Sequence, residues 1–354
     1  MEKIKVLIAD DSALMRREIK KILESDSAIE VIATAKDGKD AVAKARELRP
    51  DVIALDINMP VMDGLTALQH IMMSDKIPVV MISSLTQEGA DVTYKALELG
   101  AVDFVSKPSG AISLDIDKRA SEIVMKIKAA ARANKSVLGL QKRDNKTVKK
   151  HSTIVPSSLF SKNKIVVIGE STGGPNAIMN IVPEFPPDLG VPVIIVQHMP
   201  GTFTPSFAKR LDKNCAFPFK EAEQGDIIEP NKGFLAPGGL QTVITGNKLN
   251  GNITINLTKE PEDAIYKPSV DITMRSVLKT YKGSDIIAVI LTGMGADGAD
   301  AMAEIRKAGG RTIAESEETC VVFGMPREAI KRGGAEFVLP SYEIGKKIVE
   351  LIKG

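Results

Sequence analysis

The stretch Lys164-Ile-Val-Val-Ile-Gly-Glu-Ser-Thr-Gly-Gly-Pro-Asn-Ala-Ile178 decides how the second half of the chain is read. The apolar run 165–168 has the length of a buried strand. Gly169 and the pair Gly173-Gly174 force a sharp turn. Pro175 suits the first turn of a helix, where its missing N–H is not needed. Ser171 therefore sits on a strand-to-helix turn with its hydroxyl exposed. Gly169, Ser171 and Gly173 match G-x-S-x-G, the nucleophile-elbow pattern, in the context that pattern requires. A turn that cradles a phosphate with backbone N–H groups has the same local sequence, so the rest of the chain must separate the two readings.

Two further strand ends carry chemistry. A strand expected at 191–197 runs into His198, and one at 285–291 runs into Thr292-Gly-Met-Gly-Ala-Asp297-Gly298. In a parallel sheet these ends share one edge. The chain has three histidines. His70 falls in a helix of the first half and His151 in a connector. His198 is left as the imidazole base for Ser171, with an ordinary pKa of about 6.5 that suits proton transfer near neutrality. Asp297, on a glycine-rich loop, would hold the ring in the right tautomer. Geometry rather than chain order defines such a triad. The remaining patterns are architectural: the glycine-bearing stretch 233–251 with the runs 242–245 and 253–257 suggests a β-hairpin, and the chain also shows a helix at 269–278, short strands at 311–314 and 337–339, and helices at 299–307, 327–332 and 345–352.

The first half alternates short apolar runs with helical patterns. Strands are expected at 5–10, 29–35, 51–56, 78–83 and 103–107, with helices at 13–24, 39–48, 65–73, 90–99 and 116–133. Five βα units mean a parallel sheet covered on both faces. The strands end in Asp10-Asp11, Asp56, Ser83-Ser84 and Lys107-Pro108. Ligand sites in open α/β sheets lie at such ends. Crowded carboxylates without His or Cys suit Mg²⁺.

With 354 residues the chain has room for about two domains. Its 44% hydrophobic and 26% charged residues are ordinary for a globular protein, and a formal net charge of +2 gives no global drive toward nucleic acid or membrane. Cys215 and Cys320 are far apart and read as two buried thiols. No apolar run approaches the ~18 residues of a membrane span, and the N-terminal run is too short for a signal peptide. A cytoplasmic protein is expected, without membrane insertion. Periodicity fades over 134–163, where seven lysines and arginines face the single acid Asp144. This is a basic linker between a first domain, 1–133, and a second, 164–354. No nucleic-acid-binding module accompanies it.

The first domain resembles a response-regulator receiver. The likeness rests on Asp10-Asp11, Asp56, the loop Met59-Pro-Val-Met-Asp-Gly64, Ser83, Phe104 and Lys107-Pro108. It implies a flavodoxin-like fold and phosphorylation of Asp56 by a histidine kinase. Mg²⁺ would be held by Asp10, Asp11, Asp56 and the backbone carbonyl of Asn58. Lys107 would pair with the phosphoryl group, Ser83 would hydrogen-bond it, and Phe104 is the switch aromatic.

The second domain resembles the catalytic domain of the chemotaxis protein-glutamate methylesterases, the CheB family. Its signatures are Gly-Glu-Ser171-Thr-Gly-Gly, Gln197-His198-Met-Pro200, Leu235-Ala-Pro-Gly-Gly239 and Leu291-Thr-Gly-Met-Gly-Ala-Asp297-Gly. The resemblance implies a doubly wound, mostly parallel α/β esterase domain needing no cofactor of its own. Ser171 would be the nucleophile, His198 the base, Asp297 the orienting acid and the Met294 N–H an oxyanion donor. The implied substrates are methylated glutamates on chemoreceptor cytoplasmic domains, with glutamine deamidation as a second activity. One residue departs from the family pattern: Glu170 stands where a small residue such as Ala is usual. A carboxylate there either acts on the site, raising the His198 pKa and opposing the oxyanion, or points away from it. The other reading of the second domain is a non-catalytic module, switched by phosphorylation, whose 169–174 loop binds an anion or a partner.

Overall fold

The computed structural model describes residues 2–83, 87–107, 114–138, 164–246 and 252–353. Ser84, Pro108, His151, most of the basic linker and the 247–251 tip of the expected hairpin lie outside the described residues; of Ser83 the backbone alone is described. The chain divides into two compact units, Met1–Asp144 and Asn145–Gly354.

The first unit runs β1 (Ile4–Ala9), α1 (Ala13–Glu24), β2 (Ile29–Ala35), α2 (Gly38–Leu48), β3 (Val52–Asp56), α3 (Gly64–Ser74), β4 (Val79–Ser83), α4 (Gln87–Glu98), β5 (Asp103–Ser106) and α5 (Leu114–Ala131). The strands form one parallel sheet in the order β2-β1-β3-β4-β5. Helices cover both faces, so Val6, Leu7, Ile8, Val52, Ile53 and Val80 are fully buried. Side-chain oxygens of Ser12, Asp37 and Asp63 accept from the first-turn N–H groups of α1, α2 and α3. These caps explain why those helices begin where they do. The strand order reverses between β1 and β3, which opens a crevice at their carboxyl ends.

The second unit begins with β6 (Ile165–Glu170), the short α6 (Gly174–Ala177), β7 (Val193–Gln197), α7 (Thr204–Asn214), β8 (Phe219–Glu221) and β9 (Gly233–Leu235). It continues through β10 (Gln241–Thr245), β11 (Thr254–Thr258), α8 (Val270–Thr280), β12 (Ile286–Ile290), α9 (Ala299–Lys307), β13 (Arg311–Glu315), α10 (Met325–Lys331), β14 (Phe337–Leu339) and α11 (Ser341–Lys353). Seven described strands make a parallel sheet, ordered β14-β13-β12-β6-β7-β9-β8. One face packs Val167, Ile194, Val196, Ala288 and Ile290 against α8, α9 and α10. The order reverses between β12 and β6, again placing a crevice at two strand ends.

The expected hairpin on the runs 242–245 and 253–257 is present, and the residues at 233–235 ahead of it stand apart from it. Residues Gly233–Leu235 join the main sheet, parallel to β7 and β8. The antiparallel ribbon is β10 with β11. Phe234 and Leu235 are buried, and a place in the main sheet covers both faces of that run where a free ribbon would expose one. Helix α7 was not expected from the sequence. Its buried stripe of Thr204, Phe207, Ala208 and Leu211 keeps helical spacing, but two members are small or polar and weaken the signal. Both cysteines are buried thiols outside any disulfide.

Val61 adopts φ 66 and is 82% exposed, a left-handed backbone on a β-branched residue with no packing to hold it. Val61→Asn should stabilise the first unit by about 1 kcal/mol, measured as a higher denaturant midpoint. An unchanged or lower midpoint would mean that the loop carries no such strain.

Candidate active site

Three strand ends meet at the reversal point of the second unit. β12, β6 and β7 are neighbours, and Asp297, Ser171 and His198 follow them. His198 Nε2 lies 2.8 Å from Asp297 Oδ2, with the side chains 8% and 6% exposed. Asp297 receives three more hydrogen bonds, all from the start of α8. Ser269 Oγ donates to Oδ1 at 2.9 Å, the Asp271 N–H donates to Oδ1 at 3.0 Å, and the Val270 N–H donates to Oδ2 at 2.7 Å. A carboxylate on a helix N-terminus meets both free N–H groups and the positive end of the helix dipole. Burial works to raise the Asp297 pKa, but His198 and these donors outweigh it and hold the carboxyl below its usual range. Ser269 also caps α8 by accepting from the Ile272 N–H, so one residue starts the helix and seats the acid.

With Asp297 on Nε2, the ring proton sits there, and Nδ1 is the nitrogen left to accept one. Nδ1 is buried and has no hydrogen-bond partner among the described residues. The imidazole lies flat against Tyr266, ring centroids 4.1 Å apart and planes 2° apart. Burial, with the charge of Asp297 acting the same way, raises the Tyr266 pKa and keeps the phenol neutral.

Ser171 is 7% exposed. Its hydrogen bonds run through the backbone: its N–H donates to the Thr292 carbonyl, and its own carbonyl accepts from the Gly174 N–H and from Gln197 Nε2. No hydrogen bond is made by its hydroxyl among the described residues. Such bonds are often loose before substrate arrives and tighten in the complex. The Thr292–Asp297 loop passes directly over the serine. A Cβ on Gly293 would lie 2.7 Å from Ser171 Cβ, so only glycine fits there. The next residue is Met294, whose N–H makes no hydrogen bond among the described residues. Gly173, at φ 83, makes the turn into α6.

Glu170, the residue that departs from the family pattern, is fully buried. Burial pushes its carboxyl well above the usual glutamate range, with Glu315 acting in the same direction.

The first unit holds the second candidate site. Carboxylate oxygens of Asp10, Asp11 and Asp56 lie within 4.8 Å of one another; Asp10 and Asp56 are buried and Asp11 is exposed. An all-oxygen set of this charge fits Mg²⁺. Lys107 Nζ ion-pairs with Asp56 at 2.7 Å and Asp10 at 2.9 Å. Burial raises the Asp56 pKa, and Lys107 pulls it back only in part. Asn58 is exposed on the loop leaving β3. Phe104 is buried edge-to-face against Tyr94, with Lys126 Nζ 4.9 Å from its ring. His70 is exposed on α3, away from either cluster in sequence.

Sequence reasoning passed over Tyr266, Gln197 and the donors at the start of α8. The Pro268-Ser269 pair ahead of a helical pattern marks where a helix starts, but not that its first N–H groups meet Asp297. Nothing local marked Tyr266.

A family model described as CheB methylesterase matches residues 166–348, and one described as response regulator receiver domain matches residues 6–115. A protein-glutamate methylesterase/protein-glutamine glutaminase from Caldanaerobacter subterraneus is 52% identical, over 99% of this chain and 97% of its own. A relative of the same name, numbered 2, from Carboxydothermus hydrogenoformans is 52% identical over the full length of both. The crystal structure of the Thermotoga maritima CheB methylesterase catalytic domain is similar to 54% of this chain and 99% of that one, at 44% identity and a TM-score of 0.52.

Tyr266→Leu, which removes the stack, should lower ester turnover by roughly three- to tenfold, while Tyr266→Phe keeps it. Steady-state kinetics of both variants test this; equal losses would place the effect in the hydroxyl.

Proposed function

The chain belongs to the CheB family of receiver-bearing methylesterases, and from that premise we propose how its residues hydrolyse glutamate methyl esters. As a protein-glutamate methylesterase/protein-glutamine glutaminase it is a carboxylic ester hydrolase and deamidase joined to a response-regulator receiver. The alternative of a non-catalytic second domain has no support among these relatives. The observation that carries the mechanism is the 2.8 Å contact between His198 Nε2 and Asp297 Oδ2, one strand over from Ser171.

Ser171 Oγ attacks the ester carbonyl carbon as its proton passes to His198 Nδ1. The tetrahedral oxyanion meets the free N–H of Met294, a donor of a kind worth about 10²–10³ in rate. Asp297 steadies the imidazolium. Collapse of the intermediate expels the methoxy oxygen, which takes the proton from Nδ1 and leaves as methanol. Water then attacks the acyl-enzyme, giving its proton to the same nitrogen, and glutamate is released as Ser171 is re-protonated. With a glutamine side chain, ammonia leaves in place of methanol.

The substrates are side chains on chemoreceptor cytoplasmic domains, and the phosphoryl donor is the chemotaxis histidine kinase. Both place the protein in the cytoplasm, in keeping with the lack of any described helix long and apolar enough to cross a membrane. Asp56 receives the phosphoryl group, and Lys107 pairs with it. Asp10, Asp11, Asp56 and the Asn58 carbonyl would hold Mg²⁺, which supplies charge neutralisation for the phosphoryl group. Ser83 and Phe104 respond to the new charge. Phosphorylation raises esterase activity to the extent that it favours the active arrangement over the resting one.

The test is methanol release from methylated chemoreceptor, with and without a phosphoryl donor. Ser171→Ala should lose turnover on the order of 10⁶-fold by triad precedent; near-normal release would sink the mechanism. Chelation of divalent ions should abolish the stimulation by donor and leave basal release intact. Loss of basal release as well would place a metal in the esterase chemistry.

A further inference from the structure

Glu170 is the last residue of β6, one before Ser171. The β6–β7 ladder pairs it with Gln197, so the two side chains stand on the same face of the sheet. Gly169 and Ile290 are partners, as are Ile290 and Ala314, so the next row places Glu315 on that face too, two strands away. The face is dry: Glu170 and Glu315 are 0% exposed and Gln197 is 3% exposed.

The hydrogen bonds in this row are lopsided. Gln197 Nε2 donates to the Ser171 carbonyl at 3.1 Å and to the His198 carbonyl at 3.0 Å. One amide thus ties the nucleophile's backbone to the base's. Its other end, Oε1, is buried without a partner among the described residues, and so are both carboxyl oxygens of Glu170. Both groups border Gly174. A Cβ there would lie 2.4 Å from Gln197 Oε1 and 3.0 Å from Glu170 Cδ. As a carboxylate, Glu170 would set bare acceptors against another acceptor, in a site without solvent. One proton on the carboxyl turns that clash into a hydrogen bond.

We propose that Glu170 is a positioning residue that works as the neutral acid: its O–H donates to Gln197 Oε1 and fixes the amide that holds Ser171 and His198 in register. Burial raises the pKa of the Glu315 carboxyl as well, but its hydrogen bonds pull it back toward the ionised form, which makes it the member of the row better able to carry a charge. Its oxygens already accept from the Thr292 N–H at 2.8 Å and the Thr319 hydroxyl at 2.7 Å. Its charge and the burial of Glu170 both favour the protonated acid. The other neighbours add no opposing cation. β7 brings Gln197 ahead of His198, β12 brings Leu291 and Thr292 ahead of Asp297, and the turn over this face brings Gly174 and Pro175, with Glu184 exposed at its far end. His198 and Asp297 are paired with each other.

The role in positioning rests on Ser171 and His198 being nucleophile and base; the protonation state does not. The experiment uses the full chain as wild type, Glu170→Gln and Glu170→Leu, with two readouts. The first is denaturant unfolding across pH 5 to 8. A group whose folded pKa is raised holds a proton that the unfolded chain releases, so stability falls as pH rises above about 4.3 toward the folded value. Wild type should lose stability relative to Glu170→Gln over this window. The second readout is kcat and KM for the methyl ester. Glu170→Gln still offers an N–H to Gln197 and should keep kcat within about threefold of wild type. Glu170→Leu leaves Gln197 Oε1 unpaired and should lower kcat by roughly ten- to hundredfold with little change in KM.

A stability difference that stays flat or reverses with pH overturns the proposal, because Glu170 is then ionised. Equal kcat losses in both variants overturn it too, because the donated hydrogen is then not what matters. Should Glu170→Leu fail to fold, the comparison of Glu170→Gln with wild type still decides. Should wild type itself release no methanol, the esterase reading fails, while the pH dependence of stability still reports on Glu170.

Discussion

Asp297 is the contact on which the chemistry proposed for the second unit depends. Its two oxygens accept four hydrogen bonds, three from the first residues of α8 and one from His198. A buried carboxylate is costly unless its lone pairs are met. Here a helix N-terminus meets them, and the imidazole takes what remains. The same contacts keep the acid ionised, which a hydrogen-bonded orienting group requires if it is to stabilise an imidazolium. Tyr266 closes the open face of the ring. His198 is thereby held by a partner at one edge and a stack on one side, and its proton-accepting nitrogen is the atom left over.

Each unit solves its placement problem in the same way. A parallel sheet carries all its strand ends on one edge, and reversal of strand order leaves a gap where loops diverge. In the first unit the gap between β1 and β3 gathers Asp10, Asp56 and Lys107. In the second, the gap between β12 and β6 sets the Thr292–Asp297 loop against Ser171. The two sites share a topology and differ in what lines it. Carboxylates and an ammonium suit a metal and a phosphoryl group; a hydroxyl, an imidazole and a free N–H suit acyl transfer.

The buried acids behind Ser171 show how much depends on proton counting. Glu315 satisfies the Thr292 N–H, and Thr292 in turn accepts from the Ser171 N–H. Glu170 stands in the same row with no donor to meet among the described residues. A charge there would oppose oxyanion formation only if it existed. Burial works against that charge, which fits an acid beside Ser171 to the esterase chemistry proposed.

Much of this was legible in the sequence, because period and punctuation are local. Ala13–Glu24, Ile29–Ala35 and Ala299–Lys307 have the same limits in the apolar pattern as in the structure. Ser171, His198 and Asp297 each announced themselves by following an apolar run, and Asp10, Asp56 and Lys107 did the same. The hairpin runs 242–245 and 253–257 were legible, but the strand at 233–235 was not, because three residues are too few to show a period and its partners, β7 and β8, come from elsewhere in the chain. Tyr266 and the donors at Ser269, Val270 and Asp271 were invisible as site residues, since nothing nearby in the chain says that an aromatic will stack on His198 or that a helix will start beneath Asp297. Glu170 was visible as an anomaly and unreadable as a charge. The sequence by itself determined which chemical groups stand at the strand ends. The tertiary structure decided how they are protonated, oriented and paired, because those depend on burial and on neighbours brought together from far along the chain.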